Sequence, residues 1–513
     1  AISATSDLTV FITRGSASSH ASLAPRISLR IVYNSLLFTH AHIAHIVEQL
    51  SVLLRKASTN PVLPVGSIPL LTPSQREKLP NPTADLDWCG WKGAITNVFT
   101  RNAKQWPDRP CVIQSEKITF SYGAICHASN VLAHHLLSAG VQREEVVMVY
   151  THRSVDFVVA VMAVLKVGAT FSTQHTLPLV KSSTFALLNR GRSSFSRVQA
   201  RSALPGSTGI PKGVKGCHFS LTHFFPWMSE RFSLDETSQF TMLSGIAHDP
   251  IQRDMFTPLF LGAQLHVSTG DDIGVPGRLA EWMADSQVTV THLTHAMGQL
   301  LCAQATRQIP HLQNAFFAGN VLTKRDCLSL QALAANVRII NMYGTTETQR
   351  AVSYFAIPPV AQDPTFLATQ KDIMPVGSGM IDVQLLVVNR HDKNMPCAIR
   401  EVGEIYVRSG GLAEGYLDAD ASAEKFINNW FAANAQPPKD TIRHPKDGLP
   451  GPESRYWKGA RPDVPLGRPG PLHARRHRRV HGPRGRPGQD SRLPHRARRD
   501  RHASKIWEVL EGE

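Results

Sequence analysis

A chain of 513 residues, 42% apolar and 19% charged, can form two or three domains with sizeable cores and has ordinary globular composition. It holds no run of eighteen apolar residues, and AISATSDLTV at its start has neither the basic region nor the apolar stretch of a leader. No membrane partner is therefore expected, and a cytoplasmic protein is. Cys89, Cys111, Cys126, Cys217, Cys302, Cys327 and Cys397 include no C-x-x-C pair, which argues against a zinc cage or disulfide framework and fits a reducing compartment.

The net charge of +15 would suit a polyanionic partner, but its distribution does not. Residues 461–504 hold thirteen arginines against three aspartates, with no lysine and no glutamate, and so supply ten of those charges. This Arg/Pro/Gly/His tail lacks the interleaved aromatics of a single-strand binder, and no nucleic-acid partner is expected.

In chain order, residues 28–56 read as a strand and then a helix with Ile43, Ile46, Val47, Leu50 and Leu54 on one face. Residues 57–85, rich in Pro, Ser and Asn, read as a linker. From residue 86 strands and helices alternate: a helix near 94–104, ITFSY as a strand, a helix over 123–138, VVMVY as a buried strand, then DFVVAVMAVLKVGA as an apolar helix closed by Gly168. After 218 come strands around FTMLS, AQLHV and VTVTHL, helices around 277–285 and 296–305, and NAFFAG and RIINMYG as strands running into loops. Beyond 380, IDVQLLVV, EVGEIYV and GGLAEGYL read as antiparallel β structure. The alternation predicts an α/β protein with parallel sheets covered by helices, whose ligands bind at the carboxyl ends of the strands.

Three constellations carry possible chemistry. In Gly206-Ser207-Thr208-Gly209-Ile210-Pro211-Lys212-Gly213, glycines let backbone N–H groups approach an anion, Ser207 and Thr208 add hydroxyls and Lys212 a cation. It is not a G-x-x-x-x-G-K-[ST] loop, and a flexible surface loop has much the same composition. Asn341-Met342-Tyr343-Gly344-Thr345-Thr346-Glu347 follows an apolar strand. Its ring could stack on a base, its hydroxyls bond a phosphate and its carboxylate ligate a divalent cation; a tight turn with a capping Glu is the plainer alternative. The stretch Gly403–Leu417 reads as structural when taken alone.

In this order and spacing, and with LKVGATF at 165–171, the three resemble the core motifs of the adenylate-forming (AMP-binding) superfamily of acyl-CoA synthetases, luciferases and peptide-synthetase adenylation domains. HFSLTHFFPWMSERF, FTMLSGIAHDPIQRDMFTPLFLGAQL and NAFFAGNVLTKRDCLSLQALAANVRIINMYGTTETQRAVSYFAIPPV narrow the likeness to the adenylation region of fungal α-aminoadipate reductases, over roughly residues 86–172 and 206–457. PLLTPSQREKL and the element before it resemble the degenerate end of a condensation-type domain.

The resemblance implies an adenylate-forming fold with a large subdomain of helix-covered parallel sheets and a small β-rich subdomain, and ATP- and Mg²⁺-dependent activation of an acid in lysine biosynthesis. It places the β/γ-phosphates on Gly206, Ser207, Thr208, Gly209 and Lys212, and the nucleotide on Asn341, Tyr343, Gly344, Thr345 and Thr346. Tyr343 would stack on adenine and Thr346 would bond the α-phosphate. Glu347 would hold Mg²⁺, and Lys212, Thr346 and Glu347 would be the catalytic set. Asp249 falls where amino-acid-activating members bind the substrate ammonium, and Arg253 where a cation suits the second carboxylate of L-2-aminoadipate. Asp249 favours an amino acid over a fatty acid; an adenylating enzyme for another acid, of peptide-synthetase or acyl-CoA synthetase type, or an inactive fragment, is the alternative. A salt bridge of Arg253 with Asp249 or Asp254 is the alternative; His248 is a pocket wall or a core histidine, and Gly319 a further wall. A carrier domain bearing phosphopantetheine and a reductase domain using NADPH belong to the full-length family enzyme.

Two segments depart from the family. After GATFS the family continues like V-I-D-P-A-Y-P-P-A-R-Q, whereas this chain reads T-Q-H-T-L-P-L-V-K. Thr173-Gln174-His175 written ACC CAG CAT becomes GAC CCA GCA, Asp-Pro-Ala, one base earlier, and residues 173–202 are accordingly read as out of frame. Pro462–Leu472 can likewise be written so that a one-base shift gives Arg-Met-Tyr-Arg-Ser-Gly-Asp-Leu-Gly-Arg, the superfamily's next motif. The tail over 461–504 is then an out-of-frame, disordered segment. The ribose-binding aspartate, the interdomain hinge and the small C-terminal domain with its lysine are missing or garbled.

Overall fold

The computed structural model describes residues 7–14, 27–84, 93–115, 118–175, 186–189, 213–381, 383–433 and 462–465. They fall into two units, one from Ala1–Asn81 with Leu386–Ile405, the other from Pro82–Leu385 with Tyr406–Gly467.

In the smaller unit, LTVFITR and ISLRIVY form the strands Leu8–Arg14 and Ile27–Tyr33, antiparallel with Leu8 opposite Tyr33 and Arg14 opposite Ile27. The helix His40–Thr59 starts at Thr39, whose hydroxyl accepts from His42 N at 3.3 Å. Of its five expected core positions Ile43 is buried, Ile46, Val47 and Leu50 are half-buried and Leu54 is exposed. The expected linker is not wholly irregular: Thr72 caps a short helix Pro73–Lys78, with proline at the first turn where no N–H is needed. Gln49 Nε2 donates to Ile399 O at 2.5 Å, tying the longer helix to the Leu386–Ile405 segment.

The larger unit is built on a nine-stranded sheet. Its order is Ser378–Gly379, Ser353–Ile357, Arg338–Tyr343, Asn314–Phe317, Val290–Leu293, Gln239–Met242, Gln264–Val267, Pro110–Ser115 and Ile118–Ser121. The inner pairs are parallel and both margins antiparallel, so the sheet is mixed rather than wholly parallel. A second sheet sets Thr170–His175 parallel and Ala186–Asn189 antiparallel to Val146–Thr151. Within the Arg-rich tail, Pro462–Pro465 forms a strand opposite Tyr406 and Val407.

The helix Val155–Lys166 explains the core. Phe157, Val158, Ala160, Val161, Met162, Ala163 and Val164 are all fully buried, which is what a helix apolar on every side requires. Burying each large apolar side chain contributes about 1.5–3 kcal/mol. The helix stops where Gly168, at φ 77°, turns left-handed; Gly168 N donates to Leu165 O and Ala169 N to Val164 O, meeting the last carbonyls. Among the described residues no helix is long and apolar enough to cross a membrane.

Candidate active site

Parallel inner strands put their carboxyl ends on one edge of the sheet, and the loops leaving Met242, Leu293, Phe317 and Tyr343 gather there. The loop after Met242 is fixed from below. Asp254, fully buried in the helix Pro250–Leu261, accepts from Leu243 N at 3.0 Å and Ser244 N at 2.8 Å through one carboxylate oxygen. Its other oxygen lies 3.4 Å from Nδ1 of buried His292. Burial pushes the His292 imidazole down, and Asp254 partly offsets that. Arg153 Nη1 donates to Leu243 O at 2.7 Å, so charge and hydrogen bonds fix the loop's departure.

That loop carries His248 and Asp249. His248 is exposed and Asp249 half-buried at the start of the Pro250–Leu261 helix, so His248 is not a core histidine. Arg253, one turn into the helix, is half-buried and forms no ion pair with Asp249 or Asp254 among the described residues. Burial lowers its pKa, and the two carboxylates act against that. The salt-bridge alternative is not realised.

The loop after Tyr343 meets the same place. Gly344 is required: a Cβ there would stand 2.6 Å from Arg350 O. Thr345 leads into a single 3-10 turn, Thr346–Thr348, which leaves Thr346 exposed, and Thr346 Oγ1 donates to Asp249 Oδ1 at 3.4 Å. Tyr343 is half-buried beside Val352, Val407 and Leu412; burial and then Glu347 push its phenol up to about 12. Asn341 faces inward, its amide donating to Pro375 O at 2.6 Å, while Gly319, at φ 97°, is exposed with open space beside it.

Glu347 is half-buried. Burial raises its pKa, but hydrogen bonds to the carboxylate, that from Tyr416 foremost, and to a lesser extent the field of Lys425 outweigh burial and hold the carboxyl below its ordinary value. Tyr416 Oη lies 2.5 Å from Glu347 Oε1, and Ala413 N donates to Glu347 O at 2.9 Å. The third motif is therefore part of the site and not only structural. Gly415 and Tyr416 pair with Lys215 and Val214, and Leu417 N donates to Gly213 O at 2.8 Å. Gly213, the last residue of the first motif, thus joins the third motif, and the third joins the second, through backbone hydrogen bonds. Gly206, Ser207, Thr208, Gly209 and Lys212 lie outside the described residues.

Sequence reasoning missed Asp254 as a loop anchor, the hydroxyl of Tyr416, and Arg350. Arg350 is 2% exposed, donates to Ile381 O and Ser409 Oγ at 3.0 and 3.1 Å and lies 5.1 Å from the Phe224 ring. Arg350 follows the polar run Thr345–Gln349, and nothing in the local sequence marked it as buried.

Glu347, Thr346 and Asp249 present hard oxygen donors, the ligand chemistry of Mg²⁺. No cluster of three or more His, Cys, Asp or Glu fit to hold a metal occurs among the described residues. That fits an ion held by one or two carboxylates and completed by substrate phosphates, and not one caged by protein alone.

The family described as AMP-binding enzyme matches residues 99–177 and 205–417. The chain is 46% identical to L-2-aminoadipate reductase of Schizosaccharomyces pombe, with 85% of this chain and 36% of that protein covered. It is 45% identical to L-2-aminoadipate reductase of Saccharomyces cerevisiae, covering 84% of this chain and 36% of that protein. The chain spans little more than a third of the length of these relatives. Among solved structures it is similar to a four-domain nonribosomal peptide synthetase bound to AMP and glycine, at 16% identity and TM-score 0.65 over 84% of this chain and 33% of that one. It is also similar to the N-terminal subdomain of Klebsiella oxytoca NpsA with 3-hydroxybenzoyl-AMSN, at 18% identity and TM-score 0.52 over 65% and 92%. The likeness is one of fold, that of peptide-synthetase adenylation domains. The mixed sheet, the three converging motifs and the matched residues lead to one conclusion: the chain belongs to the AMP-binding enzyme family.

Proposed function

We infer that this chain carries the acid-activating region of an L-2-aminoadipate reductase, the region that in the intact enzyme holds L-2-aminoadipate and ATP for adenylation. The observation that carries this is the Thr346–Asp249 contact of 3.4 Å, which sets a phosphate-binding hydroxyl beside an ammonium-binding carboxylate. Asp249 pairs with the substrate ammonium. Arg253, a half-buried cation without an ion pair among the described residues, takes the carboxylate that does not react. An oxygen of the reacting carboxylate attacks the α-phosphorus of ATP, the bond to pyrophosphate breaks, and acyl-adenylate and pyrophosphate form. Tyr343 stacks on adenine, Thr346 bonds the α-phosphate, and Gly206–Lys212 holds the β/γ-phosphates. Glu347 would hold Mg²⁺, which would neutralise phosphate charge. In the full-length enzyme a carrier domain's phosphopantetheine thiol would take the acyl group with release of AMP, and a further domain would supply the NADPH for reduction.

The family match stops at 177 and resumes at 205, which supports reading the interval between as out of frame. Residues 461–504 do not spell the family's Ser-Gly-Asp-Leu motif. The chain as written accordingly binds nucleotide weakly and does not turn over. ATP–pyrophosphate exchange dependent on L-2-aminoadipate is expected to be absent from this chain, and to appear once the reading frame is restored at both segments. Exchange by the chain as written would contradict the first expectation. Sequencing the transcript across the codons for 168–210 and 455–505 shows which frame the organism uses.

A further inference from the structure

Resting on that reading of Glu347 as the metal ligand, we propose that Tyr416 is a positioning residue: its hydroxyl holds the Glu347 carboxylate oriented for the metal before metal and nucleotide arrive. The 2.5 Å contact is not a chance meeting of two mobile side chains. Tyr416 is 6% exposed, with its ring 5.6 Å from Phe426 in a T-shaped contact. Tyr416 N donates to Ser422 Oγ at 2.7 Å, and that hydroxyl in turn donates to Tyr416 O at 3.1 Å. The carboxylate's own backbone is held from the same segment, by Ala413 N on Glu347 O at 2.9 Å. Hydroxyl and carboxylate therefore stand on one rigid frame.

An unsupported glutamate must give up its rotamer freedom when it binds a metal. A glutamate already held on one oxygen has largely met that cost on folding, and its second oxygen can meet the metal in a fixed direction. The same frame includes the pairing of Gly415 and Tyr416 with Lys215 and Val214, so the carboxylate keeps its place relative to the exit of the Gly206–Gly213 loop.

The test is Mn²⁺ binding to the full chain, read by water-proton relaxation at saturating AMP-PNP, with AMP-PNP affinity in EDTA measured separately. Tyr416→Phe keeps the ring and removes only the hydroxyl. It is expected to weaken Mn²⁺ binding about 10- to 100-fold, the usual effect of losing a partner that orients a metal ligand, with metal-free AMP-PNP affinity unchanged. Because Tyr416 acts through Glu347, Tyr416→Phe combined with Glu347→Gln should bind Mn²⁺ no more weakly than Glu347→Gln alone. Mn²⁺ affinity within twofold of the unaltered chain in Tyr416→Phe, or additive losses in the double variant, overturns the proposal. Should Tyr416→Phe fail to fold, Glu347→Asp draws the carboxylate away from an intact hydroxyl, and unchanged Mn²⁺ affinity there overturns it equally. A metal effect that survives Glu347→Gln, or no Mn²⁺ binding by the unaltered chain at an AMP-PNP concentration shown to saturate it, instead removes the reading of Glu347 on which the proposal rests.

Discussion

Thr346 Oγ1 and Asp249 Oδ1 are 3.4 Å apart although 97 positions separate them in the chain. Under the proposed function the contact joins a loop for a phosphate to a loop for an ammonium group, and substitution should separate the two tasks. Asp249→Asn is expected to weaken L-2-aminoadipate binding about 10- to 100-fold, in line with losing a charged hydrogen bond of about 1.5–3 kcal/mol. Thr346→Ala should weaken AMP-PNP binding and spare the acid. Calorimetric titration of each ligand into each variant reads both.

Asp254 supports the loop from within the core. Asp254→Ala leaves Leu243 N and Ser244 N without their acceptor in a fully buried place, and is expected to destabilise the large unit by about 2–5 kcal/mol. Asp254→Asn keeps one oxygen acceptor and should cost less. Urea denaturation curves of both variants give the order, and equal stability of Asp254→Ala and the unaltered chain would contradict it.

Two glycines should respond differently to alanine. At Gly344 the new methyl meets backbone, 2.6 Å from Arg350 O and 3.0 Å from Ala351 Cα, and neither can move without shifting the motif. A loss of about 1–3 kcal/mol is expected, with weaker AMP-PNP binding. At Gly319 the space is open and only the positive φ resists, so Gly319→Ala should cost about 1 kcal/mol and leave AMP-PNP affinity within twofold. Thermal melts and titrations distinguish the two.

Stability should fall with mild acid. Burial pushes the His266 imidazole, on the strand Gln264–Val267, from 6.5 down to about 4, and burial acts on His292 in the same direction. The folded chain keeps His266 neutral while the unfolded chain takes up a proton, so the stabilising contribution is complete above pH 6.5 and is lost as pH falls toward 4. For His266 this gap corresponds to about 3 kcal/mol. Urea midpoints at pH 7, 5.5 and 4.5 should decline in that order, and His266→Leu should flatten the decline.

Periodicity made the central strands and most flanking helices legible. FTMLS, AQLHV, VTVTHL, NAFFAG and RIINMYG became the strands Gln239–Met242, Gln264–Val267, Val290–Leu293, Asn314–Phe317 and Arg338–Tyr343. Elements that break a local rule did not stand out. Pro258 lies inside the helix Pro250–Leu261 and reads as a breaker, yet burial of Ile251, Met255, Phe256 and Leu259 outweighs the lost hydrogen bond. The strand Pro110–Ser115 begins on a proline, which its antiparallel neighbour tolerates at a first position. At the site, motif order pointed to Thr346 and Glu347, but Tyr416 acts across 69 positions, and Asp254 through backbone N–H groups of the preceding loop, neither of which a local pattern encodes.

The most direct measurement is calorimetric titration of the full chain with L-2-aminoadipate and with L-2-aminohexanoate, which lacks the second carboxylate, before and after Arg253→Gln. The account expects the unaltered chain to bind L-2-aminoadipate at least tenfold more tightly than L-2-aminohexanoate, and Arg253→Gln to erase that preference while retaining the weaker binding through Asp249. Equal affinity for the two acids, or a preference that survives Arg253→Gln, would contradict the assignment of this site to L-2-aminoadipate.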